Sequence, residues 1–414
     1  MSPEVTEDCD VAIVGGGPSG LSLATGLRRL GVERVVVLER DQEAGGVPRH
    51  CGHYPFGVRE FHRLMKGPDY ARRHVAAAEA AGVDIRTGVT VTALGDGARL
   101  SLSSHDGVGE LQARRVALCA GARESSRAQR LIGGSRPRGV ISTGALQAFV
   151  YLEGLKPFHR PVVLGTELVS FSALLTCRHA GIRPAAMIEA CDRITVPTLS
   201  RALPLVLGIP VILGASVNRI LGRGGVEGVE IVCADGTTRV IEADGVICSG
   251  LFRPESALLR AGHLAVDPAT GGPVIDQYGR ASDPTYFCAG NLLRPIETSA
   301  WCAREGRETA RRIARDLAAS SPASTSTTRV RAAHEAIRYV LPQRLSDSDA
   351  PVAMEHLQMR LDRPARGRLQ MLADGREIWS RPIDSLPERR LLAPLAPLLR
   401  HRGAAAIEIT LKEA

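Results

Sequence analysis

Four residues near the start of the chain have the types and the spacing needed to bind a dinucleotide. Gly15, Gly17 and Gly20 form a GxGxxG pattern, and Glu39 follows Gly15 by 24 positions. In such a pattern the first glycine permits a tight turn, the second lets backbone lie against a pyrophosphate, and the third lets a helix pack closely on a strand. A carboxylate at the position of Glu39 can accept hydrogen bonds from ribose hydroxyls. The chemistry expected here is the binding of a nucleotide cofactor.

The segments around these glycines predict the elements that position them. Residues 11–14 form an apolar run typical of a buried strand, a helical pattern continues to residue 30, and residues 35–38 form a second apolar run. A strand, a glycine turn, a helix and a strand make a nucleotide-binding βαβ unit, whose helix N-terminus offers free N–H groups to phosphates. An isolated GxGxxG is also compatible with a structural glycine turn, but Glu39 at the end of the second strand favours the nucleotide site.

A second stretch, residues 161–189, repeats the order of strand, glycine turn, helix and strand. Gly165 and Glu189 are again 24 positions apart. Glu167 and Ser170, however, occupy the places of the second and third glycines. A carboxylate is bulky and repulsive where a pyrophosphate should contact bare backbone. We therefore expect this unit to keep the nucleotide-binding fold without tight NAD(P)H binding.

The composition is that of a soluble globular protein of two or three domains, with 414 residues, 44% hydrophobic and 23% charged. The net charge of +8 does not indicate a nucleic-acid-binding protein, because 49 of the 52 basic residues are arginines spread along the chain and only 4% of residues are aromatic. No apolar run has the length of a membrane span, and the nine cysteines lack CxxC spacing. We expect a cytoplasmic protein without a membrane span or a nucleic-acid partner.

Several motifs together resemble the two-domain flavoprotein reductases of the pyridine nucleotide-disulfide type. They are GGGPSG with Glu39, the AGARE of residues 120–124, the altered second glycine turn and the FCAGN of residues 287–291. Three longer segments resemble the FAD-dependent larger subunit of hydrogen cyanide synthase, opine oxidase and dye-linked proline or hydroxyproline dehydrogenases; they are residues 45–57, 121–147 and 289–307. The resemblance covers about residues 8–317 and implies an α/β fold with two Rossmann-like nucleotide-binding domains, as in glutathione and thioredoxin reductases. The strand patterns after residue 330 predict, in addition, a small β-rich C-terminal appendage.

The resemblance also implies FAD as the cofactor and assigns residues to it. The first glycine turn and the residues after it would contact the pyrophosphate, ribose and adenine: Gly15, Gly17, Pro18, Ser19, Gly20, Glu39, Arg40 and Gly46. Gly121 would lie along a turn that passes the FAD. Gly290 and Asn291 match the second flavin motif, in which aspartate is usual at the last place, although asparagine can still hydrogen-bond the ribityl chain or a phosphate. Thr298 is expected either to contact the flavin or to cap a helix.

His50, Cys51 and His53 form a compact polar constellation in a loop rich in glycine and proline, residues 41–70. In the resembling proteins this loop passes near the flavin ring, so these three residues are flavin-side candidates, and no catalytic residue is assigned. A metal site, a polar wall beside the flavin and a purely structural role all stay open, but a metal would need a fourth ligand, and we assign none. Cys51 has no cysteine partner nearby in sequence, so dithiol chemistry is not expected.

The resembling proteins act as subunits, and this sets the functional hypothesis. The favoured function is an FAD-dependent oxidoreductase subunit that takes electrons from a partner flavoprotein subunit oxidising an amino acid, imino acid or opine, and relays them to an acceptor. No cysteine follows Cys302, so any iron–sulfur cluster belongs on another, small subunit. The alternatives are a stand-alone NAD(P)H-dependent flavin reductase, against which Glu167 argues, and an FAD-holding scaffold or interaction subunit.

The same patterns predict the domain organisation. The predicted parts are an FAD-binding domain (residues 1–146 and 250–317), an NAD(P)-binding-like domain inserted in it (147–249), a polar linker (318–329) and a small C-terminal domain (330–414). Within the last part, Asp374 and Gly375 stand between alternating apolar and polar residues, a pattern that predicts a β-hairpin.

Overall fold

The structure, a computed structural model, describes residues 6–196, 201–319, 327–348 and 353–414. The chain forms two compact units. Unit 1 contains Met1–Gly46, Ala71–Ala122 and Pro254–Ala414, and unit 2 contains Val47–Tyr70 and Arg123–Arg253. Most of the predicted linker, residues 320–326, lies outside the described residues.

The secondary structure of the described residues alternates helices and strands in the first two thirds of the chain and is mostly strand after that. The α-helices are α1 (Pro18–Arg29), α2 (Val58–Phe61), α3 (Gly67–Ala80), α4 (Thr143–Tyr151), α5 (Leu168–His179), α6 (Ala202–Val206), α7 (Ala257–Ala261), α8 (Ser299–Ala318) and α9 (Ala396–Leu399). Among the residues that the structure describes, no helix combines the length and the apolar character needed to cross a bilayer. The β-strands are β1 (Thr6–Val14), β2 (Val35–Leu38), β3 (Asp84–Arg86), β4 (Thr90–Gly95), β5 (Arg99–Ser104), β6 (Gly107–Leu118), β7 (Ala122–Arg123), β8 (Gly133–Gly134), β9 (Val140–Ser142), β10 (Pro161–Leu164), β11 (Ala186–Ile188), β12 (Val211–Ile212), β13 (Ala215–Leu221), β14 (Gly228–Cys233), β15 (Thr238–Glu242), β16 (Gly245–Cys248), β17 (Arg253–Pro254), β18 (Tyr286–Cys288), β19 (Thr327–Ala332), β20 (Ile337–Leu341), β21 (Arg344–Ser346), β22 (His356–Leu361), β23 (Ala365–Ala373), β24 (Arg376–Ser385), β25 (Leu391–Pro394) and β26 (Ile407–Glu413).

Unit 1 is built on a seven-stranded sheet in the order β3-β2-β1-β6-β5-β4, with β18 also paired to β6. Strand β1 is parallel to β2, with Val11 opposite Val35. Successive residues of β1 face opposite sides of the sheet, so that Val11 and Ile13 enter one apolar core while Ala12 and Val14 enter another. Burial on both faces explains why the sequence of this strand is a continuous apolar run instead of an alternating one.

Helices α1 and α8 pack against each other closely enough that only glycine fits at the crossing. A Cβ added to Gly26 of α1 would lie 2.8 Å from Ala310 Cβ of α8. A Cβ added to Gly306 of α8 would lie 2.2 Å from Ser19 O. This close approach places the middle of α8 directly against α1, with Gly306 at the first turn of α1.

The C-terminal part of unit 1, residues 327–414, is β-rich, as predicted, and is called the C-terminal domain below. Its strands form a five-stranded sheet, β21-β19-β26-β23-β24, and a three-stranded sheet, β20-β22-β25, around one apolar core. Strands β23 and β24 form the predicted hairpin at Asp374 and Gly375. Both turn residues have positive φ, 48° and 76°, as a tight two-residue hairpin turn requires.

Unit 2 contains a parallel five-stranded sheet in the order β12-β11-β10-β16-β9. Strand β10, helix α5 and strand β11 form the predicted second repeat, with Val163 opposite Met187. A further sheet of this unit has the order β15-β14-β13-β8. The predicted α/β class, with two Rossmann-like sheets and a β-rich C-terminal domain, is confirmed.

Candidate functional site

The turn between β1 and α1 has the shape that a dinucleotide pyrophosphate requires. Gly15 has a φ of +106°, and a Cβ there would lie 2.6 Å from Cys119 O. A Cβ on Gly20 would lie 2.0 Å from Gly15 O. At Gly17, by contrast, the nearest atom to an added Cβ is Gly46 Cα at 3.9 Å. The first and third glycines are thus required by the packing of the protein, whereas the second leaves exposed backbone for a ligand.

The N-terminus of α1 can hold an anion. Gly17 is the N-cap residue and supplies no side-chain hydrogen bond, Pro18 begins the helix, and the first turn has no acidic residue. The N–H groups of the first turn, which include those of Ser19 and Gly20, therefore receive no acceptor from the cap. Free N–H groups at the positive end of a helix dipole are the usual phosphate-binding arrangement of nucleotide-binding folds.

Glu39 stands at the same turn, directly after β2. Its Oε2 accepts a hydrogen bond from Gly16 N at 2.8 Å, and its Oε1 accepts one from Asp41 N at 3.0 Å. These two bonds fix the carboxylate beside the glycine turn, at the position predicted for a ribose contact. Arg40, the predicted neighbour of the adenine, is exposed. The residues of this turn therefore fit the adenosine diphosphate half of FAD.

Gly290 brings the second predicted flavin motif to this turn. An added Cβ on Gly290 would lie 2.8 Å from Ser19 Cβ, so the two segments are in direct contact. Asn291 bonds within its own loop, because its Oδ1 accepts a hydrogen bond from Glu297 N at 2.7 Å and its Nδ2 donates to Glu297 O at 3.2 Å. The structure thus joins the two motifs through Gly290, while the contact of Asn291 with FAD stays a prediction.

Gly121 and Thr298, two further predicted FAD contacts, have visible structural roles. Gly121 has a φ of +74° and no atom within 4 Å of an added Cβ, so the backbone conformation and not the packing requires glycine there. Thr298 is the N-cap of α8, and its hydroxyl accepts a hydrogen bond from Trp301 N at 3.4 Å. Helix capping was one of the two roles expected for Thr298, and its contact with FAD stays a prediction.

The turn between β10 and α5 in unit 2 repeats the hydrogen bonds of the first turn. Glu189 Oε2 accepts hydrogen bonds from Thr166 N at 2.8 Å and from Thr166 Oγ1 at 2.6 Å, and its Oε1 accepts one from Cys191 N at 3.0 Å. The bond from Thr166 N to Glu189 corresponds to the bond from Gly16 N to Glu39. Unit 2 therefore keeps the architecture of a nucleotide-binding turn.

Glu167 fills the part of this second turn that a pyrophosphate would approach. It is the N-cap residue of α5, and its Oε1 accepts a hydrogen bond from Leu251 N at 2.9 Å. The carboxylate lies against Gly250, where an added Cβ would be 2.4 Å from Oε1. Burial raises the pKa of Glu167, although the hydrogen bond from Leu251 N and the charge of Arg130 act in the opposite direction. The side chain is thus held in the turn by a specific bond, with both acidic and basic neighbours.

Two more side chains distinguish this turn from the first one. Ser170 is fully buried, and its Oγ has no hydrogen-bond partner among the described residues. Glu124 accepts hydrogen bonds from Gly144 N at 2.8 Å and from Gly250 N at 2.9 Å, and burial raises its pKa. Together with the two glutamates described above, Glu124 places three carboxyl groups at this turn, and Arg130, which donates to Ser249 O at 2.8 Å and to Gly250 O at 2.9 Å, places a cation beside them.

The predicted constellation of His50, Cys51 and His53 lies in unit 2. Cys51 Sγ donates to Gln147 Oε1 at 3.5 Å, and burial raises the pKa of Cys51 to about 12. The thiol therefore favours its protonated form at neutral pH, which argues against a role as a nucleophilic thiolate. His53 Nδ1 lies 2.9 Å from Tyr54 O, and His50 ends a short 3₁₀ helix. Cys51 and His53 thus bond to separate groups, and a position beside the flavin stays a prediction for all three residues.

Unit 1 contains a cluster of buried charges whose pairing the sequence did not indicate. Arg294 is fully buried; its Nη2 donates to Glu305 Oε1 at 2.7 Å and its Nη1 donates to Gly290 O at 2.9 Å. Trp301 Nε1 donates to the same oxygen of Glu305 at 2.8 Å. The pairing of Arg294 with Glu305, 11 positions away, had no signal in the sequence, because arginine is so frequent in this chain.

The chain contains two strand–turn–helix–strand units. One of them has an open glycine turn, which contacts a second flavin motif. This combination defines a flavin enzyme with two dinucleotide-type domains. The chain matches the family model of the pyridine nucleotide-disulphide oxidoreductases over residues 9–307, and it belongs to that family. It is therefore an FAD-dependent oxidoreductase, as predicted.

Two characterised proteins are similar to this chain in sequence. The glutamate synthase (NADPH) small chain of Escherichia coli (strain K12) is 27% identical over 342 residues, which cover 72% of this chain and 67% of that protein. A subunit of the opine oxidase of Rhizobium meliloti (strain 1021) is 25% identical over 264 residues, which cover 62% of this chain and 56% of that protein. The chain thus spans about two thirds of the first relative and just over half of the second.

Solved structures show the same fold. Thioredoxin reductase of T. acidophilum has a TM-score of 0.64 at 22% identity, covering 76% of this chain and 100% of its own. L-proline dehydrogenase of P. horikoshii has a TM-score of 0.58 at 20% identity, covering 77% of this chain and 58% of its own. The predicted thioredoxin reductase-like arrangement of two dinucleotide-type domains is confirmed.

Proposed function

We propose that this chain is the FAD-binding subunit of a hetero-oligomeric dehydrogenase or oxidase. It takes electrons from a partner flavoprotein subunit that oxidises an amino acid, imino acid or opine, and it relays them to an acceptor. The observation that carries the proposal is the position of Glu167 in the second glycine turn, because it opposes NAD(P)H as the direct source of electrons. FAD supplies the electron chemistry when it is bound.

The similarity to an opine oxidase subunit supports the subunit role and the class of substrate. The segments around Cys51, Glu124 and Arg294 support it further, since they resemble the larger subunits of hydrogen cyanide synthase, opine oxidase and dye-linked dehydrogenases. In this proposal any iron–sulfur cluster is assigned to a separate small subunit.

The roles of this chain's own residues in the proposal are binding and orientation. The open backbone at Gly17 and the free N–H groups at the start of α1 hold the pyrophosphate, and Glu39 holds the adenosine ribose. Gly290 lies against Ser19 and sets the distance between the two flavin motifs. The breaking of the substrate bond is assigned to the partner subunit, so no base on this chain is required.

Anaerobic mixing of the FAD-loaded chain with NADH and, separately, with NADPH tests the proposal. We expect the visible flavin absorbance to persist with both nucleotides. We also expect an amino acid, imino acid or opine to bleach the flavin in a complex purified from the native host, and not in the isolated chain. If all three substrate classes leave the flavin of that complex oxidised, the relay role is wrong and a scaffold role takes its place.

Rapid bleaching of the isolated chain by NADPH would support a second candidate, a stand-alone NAD(P)H-dependent flavin reductase. The similarity to the glutamate synthase (NADPH) small chain favours this candidate. In that event Glu167 is tolerated at the turn, and the partner subunit is not the electron source.

A further inference from the structure

The C-terminal domain binds the loop that follows the second flavin motif. This loop, residues 290–298, is called the flavin-motif loop here. Arg360 in β22 donates through Nη2 to Glu297 Oε1 at 3.1 Å and to Ile296 O at 2.8 Å. Arg390, directly before β25, donates through Nη1 to Glu297 Oε2. Two arginines of the C-terminal domain therefore hold one carboxylate of the loop, and its residue is only 9% exposed.

The bonds of Glu297 continue to the flavin motif itself. Its backbone N and O are both hydrogen-bonded to the side chain of Asn291, at 2.7 Å and 3.2 Å. The guanidinium of Arg390 also lies over the Trp301 ring, 3.5 Å from the ring centroid. Since Trp301 belongs to the first turn of α8, Arg390 contacts both the flavin-motif loop and the helix that follows it. The position of Asn291 thus depends on Glu297, and that of Glu297 on the two arginines.

A second set of bonds connects the C-terminal domain to Gly290. Gln358 in β22 donates through Nε2 to Glu305 Oε1 at 3.1 Å. Glu305 pairs with Arg294, and Arg294 donates to Gly290 O at 2.9 Å. Gly290 in turn lies against Ser19 of the first glycine turn. Both sets of contacts therefore start on the C-terminal domain and end at the second flavin motif.

These contacts bury charge, which makes them sensitive to the loss of one partner. A buried carboxylate that loses its arginine keeps the cost of burial without the compensating charge. The favoured response is movement of the flavin-motif loop toward water, and Gly290 and Asn291 move with it. A loop held in its bound conformation also lowers the cost of ordering it when a cofactor binds.

We propose that the C-terminal domain positions the flavin-motif loop for FAD, with Arg360 and Arg390 as positioning residues that act through Glu297. In addition to any structural role, the C-terminal domain then sets the affinity for FAD and the environment of the bound flavin. The proposal rests on FAD binding by this family and is independent of the electron source. A chain that proves to be reduced by NADPH would refute the proposed relay role and leave this inference untouched.

Replacement of both arginines by glutamine tests the proposal. In R360Q/R390Q we expect the Kd for FAD, measured by reconstitution of the flavin-free protein, to rise by about tenfold or more. The visible circular dichroism and the reduction potential of the bound flavin should also change. Arg363→Gln is the matched control, because Arg363 lies in the same domain and pairs with Glu335 and Glu413 near the surface. Its Kd should stay within about twofold of that of the unchanged protein.

Two further measurements separate positioning from simple packing. If the arginines act through Glu297, the effects of Arg360→Gln and Glu297→Gln on the Kd for FAD will be smaller together than the sum of the two. FAD should also raise the melting temperature of R360Q/R390Q less than it raises that of the unchanged protein. Equal FAD affinity, equal spectra and an equal rise in melting temperature would overturn the proposal. If the double variant does not fold, the same three measurements (the Kd for FAD, the flavin spectra and the rise in melting temperature with FAD) are made on the single lysine variants R360K and R390K. Lysine keeps the charge but loses the guanidinium hydrogen bonds, so a weaker affinity for FAD supports the proposal and an unchanged affinity contradicts it.

Discussion

The carboxylate of Glu167 and the backbone N–H of Leu251 are joined by a hydrogen bond of 2.9 Å across the nucleotide turn of unit 2. The corresponding position in unit 1 is Gly17, where an added Cβ would have no atom closer than 3.9 Å. One chain therefore contains the same turn twice, once with open backbone and once with a bonded side chain in its place. The difference falls on the residue position that decides whether a pyrophosphate can approach.

Replacing Glu167 and Ser170 by glycine should give unit 2 an affinity for nucleotide. In E167G/S170G the bulky carboxylate is gone, and we expect the Kd for NADH or NADPH to fall by about tenfold or more, measured by isothermal titration calorimetry. Ser170→Gly alone is the control, because it leaves Glu167 bonded to Leu251. Equal and weak binding by the control and the double variant would show that other features of unit 2 exclude the nucleotide.

Loss of Arg294 should destabilise unit 1 strongly. In Arg294→Met, Glu305 stays buried without its arginine and Gly290 O loses a donor, so we expect a loss of about 3–5 kcal/mol in the free energy of unfolding. Urea unfolding followed by circular dichroism measures it. Arg363→Met is the control, since Arg363 pairs with Glu335 at the surface, and about 0–1 kcal/mol is expected there. Equal losses in the two variants would contradict the special role of the buried pair.

His74 should make the fold sensitive to acid. Burial, together with a smaller effect of the charge of Arg307, lowers the pKa of His74 from 6.5 to about 4. The unfolded chain therefore binds the proton more tightly than the folded chain does. The contribution of neutral, buried His74 to the free energy of unfolding is therefore complete above pH 6.5 and is lost as the pH falls through about 4.

The variant His74→Gln removes this titration. Between about pH 7 and about pH 4.5 its free energy of unfolding should fall by about 2 kcal/mol less than that of the unchanged protein. The comparison uses urea unfolding at both pH values. His105→Gln serves as the control, because the side chain of His105 is fully exposed. A pH dependence that is unchanged in His74→Gln would mean that His74 titrates normally.

Cys51 should resist alkylation in the native protein. With a pKa of about 12, its thiolate fraction at pH 8 is about one in ten thousand, and the thiolate is the reactive form. Iodoacetamide followed by peptide mass spectrometry should label Cys191, whose side chain is exposed, long before Cys51. Labelling of Cys51 at the rate of Cys191 would show an accessible thiolate and would restore a nucleophilic role to this residue.

The parts of the fold that the sequence predicted are those with short-range signals. The elements around Gly15 and Gly165 follow from apolar runs separated by glycines, and the hairpin at Asp374 follows from one dipeptide between alternating residues. The altered state of the second turn was also predictable, since Glu167 and Ser170 stand at positions defined by spacing alone.

The contacts of the C-terminal domain had no such signal. Arg360 and Arg390 are 63 and 93 positions from Glu297, and no spacing rule connects residues so far apart. Their type gave no help, because arginine makes up 49 of the 52 basic residues. The partner of Cys51 was hidden in the same way, since Gln147 lies 96 positions away. Contacts of this kind depend on the tertiary fold, and only the structure reveals them.

The separation between Glu297 and its two arginines also has a consequence for synthesis on the ribosome. Glu297 leaves the exit tunnel 63 residues before Arg360 and 93 before Arg390. During that interval the nascent chain holds both flavin motifs, but the carboxylate that organises the second has no cationic partner from the C-terminal domain, so it favours water. We therefore expect the second flavin motif of the growing polypeptide to be ordered late, after Arg360 and Arg390 have left the tunnel.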